Sequence, residues 1–220
     1  MTAAPRMTRD EAGRRLFDIS QPLRPGLPVW PGDTTFGLER TWALDGDCPV
    51  NVSRLTLSTH SGAHADAPLH FDPAGVSIEA VDLVPYLGPA QLLSVTEGPA
   101  RIAPEEVLPR LVPGVRRVLL RTFEAFPHDA WPEAFRTPSP ELVEALGAAG
   151  VRLIGMDGPS LDPQEAKHLA SHLVLGRLGM AVLEGLVLDG VPDGVWELIA
   201  LPLAFAGADA SPVRAVLRDL

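Results

Sequence analysis

The amino-acid sequence predicts a mixed α/β domain, β-rich, with one substantial sheet and a few flanking helices. Three observations carry that prediction. Short apolar segments of strand character recur along the chain, among them VSRLTLST at 52–59, VRLIGMD at 151–157 and MAVLEGLVL at 180–188. Two segments between them carry helix start and stop signals. The 23 Pro and 20 Gly in 220 residues predict many turns and irregular loops, which a helical bundle would not tolerate.

In chain order, residues 1–15 read as a frayed, flexible tail and residues 16–220 as the folded domain. LFDIS at 16–20 opens it as a short strand. QPLRPGLPVWPGD at 21–33 follows, and its prolines forbid continuous helix or a central strand. This long loop holds one large aromatic, Trp30, between Val29 and Pro31; long loops in compact domains tend to be functional. VSRLTLST alternates as a strand should and runs directly into a histidine-rich stretch. AQLLSVT at 90–96 and VRRVLLRT at 115–122 are further strands. SPELVEALGAAG at 139–150 is a capped helix, with Ser139 as N-cap, Pro140 at its first position and Gly150 just past its end. VRLIGMD then reads as a buried strand. DPQEAKHLASHLVLG at 162–176 reads as a second helix, capped by Asp162, opened by Pro163, with Glu165 placed for a capping box. MAVLEGLVL and GVWELIALPLAF at 194–205 close the domain as strands.

Charge narrows the function. There are 18 basic against 28 acidic residues, a formal net charge of -10. Such a chain repels phosphate backbones and anionic membrane surfaces, so nucleic acid and membrane are not its expected partners. Its one cysteine, Cys48, cannot form an internal disulfide and reads as an inert thiol in a reducing compartment. The N-terminus lacks the apolar run of a signal peptide, and Asp10 and Glu11 argue against a transit peptide. A cytoplasmic protein is expected.

HSGAHADAPLH at 60–70 is where chemistry concentrates, with His60, His64, Asp66 and His70 in eleven residues. On a helix, His60 would share a face with His64, and Asp66 with His70, but Gly62 and Pro68 weaken a helix here. On an extended chain all four, being even-numbered, point the same way; an extended or loop reading continues the preceding strand and is preferred. Convergent imidazoles and a carboxylate suit zinc or another first-row divalent ion such as manganese. The plain alternative is a set of unrelated surface or core histidines. A metal needs further donors. His168 and His172 lie four apart on the second predicted helix, and one of them could reach the site. Glu184 sits in an apolar strand, where it either faces outward or is a carboxylate costly to bury unless a metal neutralises it. His128, in FPHDAWP, reads as a solvent-exposed loop residue.

From residue 16 to its end the chain resembles the bacterial kynurenine formamidases (arylformamidases) of the metal-dependent cyclase-like family. The likeness rests on DISQPLRPGLPVWPGD, HSGAHADAPLHF, an H-x-x-x-H segment followed by LEGL, and ELIALPLAFAGADASPVRAVL. The resemblance implies a swivelling β/β/α fold, a homodimer and two divalent ions, usually zinc. It implies that His60, His64 and Asp66 hold one ion, that Asp66 bridges to a second ligated by His172, and that Glu184 contacts both. His70 would be the catalytic acid/base and Trp30 would line the substrate pocket. Many members of the broader family carry Thr where this chain has Ala63, so one hydroxyl that could orient a ligand is absent. The implied reaction is metal-dependent hydrolysis of N-formyl-L-kynurenine to L-kynurenine and formate, in tryptophan degradation. The alternatives are a cyclic-amide hydrolase of the isatin hydrolase type, a mononuclear enzyme, and a non-catalytic metal-binding protein.

Overall fold

A computed structural model describes residues 6–220. Its strands are β1 (Arg6–Arg9), β2 (Arg15–Asp18), β3 (Gly37–Trp42), β4 (Val52–Thr56), β5 (His64–Asp66), β6 (Leu87–Ser94), β7 (Arg101–Ile102), β8 (Arg117–Arg121), β9 (Thr137–Pro138), β10 (Leu153–Met156), β11 (Ala181–Glu184), β12 (Gly194–Ile199), β13 (Ala210–Pro212) and β14 (Val216–Arg218). Ten of them form one sheet in the order β1-β2-β14-β12-β6-β8-β10-β11-β5-β13. The four central strands, β6, β8, β10 and β11, run parallel, and antiparallel pairs flank them on both sides. The architecture is the expected mixed-sheet α/β domain.

Parallel strands need both faces covered, and alternation along each strand supplies two cores. Leu92, Leu119, Leu153 and Leu183 enter one core. Leu93, Val118, Leu120, Ile154 and Val182 enter the other. The helices α1 (Pro104–Val107), α2 (Pro140–Ala148) and α3 (Ala170–Arg177) close the second core through Val107, Leu142, Leu146 and Leu175. The first predicted helix is α2. Ser139 Oγ accepts the Leu142 amide at 3.1 Å, and Gly150 turns the chain away with φ +90°.

Three expectations need correction. Residues 6–9 are no frayed tail but an edge strand, paired antiparallel with β2; Asp10 Oδ1 accepts the amides of Ala12 and Arg14 at 3.0 Å and sets the intervening turn. Residues 1–5 of the expected tail lie outside the described residues. The second helix begins at Ala170, not near 162. Asp162 does cap it, but across a loop: its carboxylate accepts the Ser171 and His172 amides at 3.1 Å, while Pro163 opens only a turn. His168 therefore lies outside the helix, exposed, and does not share a face with His172. Finally, 60–70 is extended only at its centre and loop on either side, so alternation along one strand is not what aligns its four donors. His60 sits in a turn, β5 carries His64 and Asp66, and Pro68–His70 is a short 3-10 turn.

Candidate metal centre

Sheet register brings the first donors together. β5 and β11 pair antiparallel with Glu184 opposite His64. The next residue, Gly185, has φ +63°, and a Cβ there would lie 2.5 Å from the Gly62 carbonyl oxygen. Only glycine lets β11 end so close to the turn that carries His60. The N-terminal turn of α3 adds His172 from the helical layer. Residues 60, 64, 66, 172 and 184, named from the sequence, thus meet at one place.

Their atoms are close but not bonded to one another. His64 Nε2 lies 3.5 Å from Asp66 Oδ1 and 3.4 Å from Glu184 Oε2. His172 Nε2 lies 3.6 Å from Asp66 Oδ2 and 3.4 Å from Glu184 Oε1. His60 Nδ1 lies 3.1 Å from Asp66 Oδ1. His64 Nε2, His172 Nε2 and both Asp66 oxygens are buried with no hydrogen-bond partner. Orphaned buried polar atoms cost about 1–3 kcal/mol each. Four at one point, mixing imidazole nitrogen and carboxylate oxygen, fit a bound divalent cation. The donor atoms of His60, His64 and Asp66, and those of Asp66, His172 and Glu184, each lie within 4.8 Å of one another.

Electrostatics gives the same reading. Burial favours neutral Asp66 and Glu184, and Asp66 further raises Glu184, yet both stay below their ordinary range because imidazoles face them. Burial likewise opposes charge on His60 and His172. The carboxylates outweigh it, lifting His60 to about 9 and His172 well above its usual value. Without a metal, the cluster takes up protons to balance its carboxylates; a cation would serve in their place.

Each imidazole is also held from outside. His64 Nδ1 donates to the Gly62 carbonyl at 2.8 Å, so a backbone group orients it although Ala63 offers no hydroxyl. His172 Nδ1 bonds Asp162 Oδ2 at 2.9 Å, and His60 Nε2 bonds Asp209 Oδ2 at 2.9 Å. The Leu161 amide donates to Glu184 Oε1 at 2.7 Å. Sequence reading gave Asp162 only a capping role and missed Asp209, which lies far along the chain.

Above the cluster opens a cavity of about 330 Å³, lined by His60, His64, His70, His172 and Glu184 at its base. Trp30, Trp131, Phe123 and Phe126 form its walls. Trp30 and Trp131 meet edge to face with centroids 5.4 Å apart, and Trp131 Nε1 donates to Gln164 Oε1 at 2.6 Å. The loop carrying Phe123 is pinned by Asp157, which accepts from the Thr122 amide and hydroxyl and the Phe123 amide at 2.6–3.1 Å. His128 is not the free surface residue expected; it is half-buried, its ring 5.0 Å from Phe126.

A cyclase family model matches residues 17–163. The chain belongs to the cyclase family. Kynurenine formamidase of Maricaulis maris (strain MCS10) is 53% identical to this cyclase-family chain over 206 residues, 94% of this chain and 99% of that protein. A solved structure described as a potential metal-dependent hydrolase with cyclase activity superposes with TM-score 0.80 at 27% identity, covering 94% of this chain and 98% of that one. Isatin hydrolase A from Labrenzia aggregata shares the fold, with TM-score 0.77 at 23% identity over 94% of each chain.

Proposed function

We propose that this cyclase-family chain hydrolyses N-formyl-L-kynurenine to L-kynurenine and formate, as an arylformamidase. The observation that carries the reading is the set of orphaned imidazole and carboxylate atoms at the floor of an aromatic-walled cavity. The 53% identity to a kynurenine formamidase across nearly the whole chain supports the substrate. His60, His64, Asp66, His172 and Glu184 would hold two divalent ions, zinc by preference. When bound, such ions supply Lewis acidity and acidify water at neutral pH.

The chain's own residues do the rest. Asp66 and Glu184 provide the negative charge that lets two cations sit together. Trp30, with Trp131, Phe123 and Phe126, offers apolar walls to the aryl ring by edge and offset contacts. Water adds to the formyl carbon, the C–N bond breaks, and the departing aniline nitrogen takes a proton. His70 suits that delivery: it lines the cavity, is partly exposed, and lies outside the buried donor set.

Elemental analysis alongside a spectroscopic assay of kynurenine release tests the reading, with isatin as the comparison substrate. Two equivalents of metal and preferred turnover of the formamide are expected; preferred opening of isatin would overturn it. Asp66→Ala and Glu184→Ala should each release at least one equivalent of metal.

A cytoplasmic homodimer is part of the proposal. No helix among the described residues is long and apolar enough to cross a membrane. β3 and β4 form a separate two-stranded sheet that exposes Leu38, Trp42 and Leu55. A lone hairpin is marginal in water, and a second copy covering it would bury those side chains. Light scattering on Trp42→Ser protein should show a shift toward monomer.

A further inference from the structure

Asp209, so far only the outside partner of His60, also touches His70. Its Oδ2 is 2.9 Å from His60 Nε2 and 3.4 Å from His70 Nδ1. Its Oδ1 accepts the Thr59 hydroxyl at 2.9 Å. The two imidazoles it joins are stacked at a tilt, centroids 4.3 Å apart. Backbone structure fixes its place: its carbonyl accepts the Ala67 amide at 2.8 Å, and the next residue, Ala210, pairs with Asp66 in the β5–β13 ladder.

We propose that Asp209 is the positioning residue that sets the tautomers of His60 and His70 together. An ionised carboxylate only accepts, so the ring nitrogen facing it must carry hydrogen. On a neutral imidazole that leaves the lone pair on the other nitrogen. For His60 the other nitrogen is Nδ1, which faces Asp66 at 3.1 Å in the donor cluster. For His70 it is Nε2, leaving that atom of a cavity-lining residue available to exchange a proton with substrate. Thr59 occupies Oδ1, so both histidine contacts converge on the same oxygen. One carboxylate thereby gives His60 a donor face for a cation and His70 a working face for the reaction. The second half of this assignment rests on the formamidase reading; the first does not.

The test is nitrogen-15 NMR of the histidine rings in zinc-loaded protein, comparing wild type with Asp209→Ala. Wild type should show hydrogen on His60 Nε2 and His70 Nδ1, and the variant should lose both assignments. Its kcat should fall about 10–100-fold, with KM unchanged. If Asp209→Ala does not fold, Thr59→Val loosens the same carboxylate and is read in the same way, with the ring signals of His60 and His70 moving or broadening. Ring signals identical to wild type in the variant that folds overturn the proposal, whatever turnover does. A wild-type protein inactive on the formamide would count against the functional reading and leave the ring assignments standing.

Discussion

The donor cluster and the aromatic wall above it share one cavity and are built in opposite ways. The cluster stands on paired strands and a helix terminus, and each of its imidazoles is held from behind by a carboxylate or a backbone carbonyl. The wall stands on three loops that meet through the Trp30–Trp131 edge, the Trp131–Gln164 hydrogen bond and the Arg24–Asp129 ion pair, with Asp157 tying the Phe123 loop back to the end of β10. The donors of the cluster sit on strands, a turn beside them and a helix terminus, where their alignment is fixed; the wall sits on loops, where substitutions cost the fold little.

The largest test of that division is His70→Ala. It should lower kcat on the order of 10²–10⁴-fold while elemental analysis still finds full metal. Loss of metal instead would move His70 into the cluster and dissolve the boundary. Next in size is Asp162→Ala. It removes the partner of His172 Nδ1 and should weaken metal binding about 10–100-fold, read by competition with a chelator. The same change uncaps α3 and should cost about 1 kcal/mol in chemical denaturation. Normal metal affinity in a destabilised protein would mean that Asp162 serves only the helix.

The same division explains what could be read from sequence. His60, His64, Asp66 and His70 were legible because one short stretch holds them, and a donor crowd is improbable by chance. Glu184 was legible because a carboxylate in an apolar strand needs a reason. Asp162 misled: its local pattern matched a helix start, but its carboxylate reaches across a loop to a helix that begins later. Asp209 and Trp131 gave no signal, because their roles come from strand pairing and loop contacts between distant segments. Likewise β7, β9, β13 and β14 were missed and the strand at Arg6–Arg9 was read as tail, because pieces of two to four residues carry too little alternation to declare themselves; β3 was missed because it is exposed along nearly its whole length and has no buried face to set a pattern.

Trp131→Ala addresses the wall alone. Aromatic contacts contribute about 0.5–1.5 kcal/mol beyond the area they bury. KM for an aryl formamide should rise about 2- to 10-fold on that scale, with a small formamide unaffected. Trp30→Ala should behave alike. An equal kcat loss on both substrates would show that the wall supports the cluster, and the comparison would fail.

The smallest effect is expected at Asp157, the joint between the two regions. It lies just past the end of β10, at the cavity, and clamps the amides of Thr122 and Phe123. Burial pushes its carboxyl up from 3.8 to about 7, against the pull of those amides and the Thr122 hydroxyl. Between those values the folded chain keeps a proton that the unfolded chain has released. Stability from this group is therefore present near pH 4 and declines as pH rises toward 7, then stays level. Asp157→Asn does not titrate, so the stability gap between wild type and variant should be wider at pH 5 than at pH 8. A gap that widens toward pH 8 would mean that the amides win over burial. The loop would then be held by a buried anion, and the wall would be anchored by charge as firmly as the cluster beneath it.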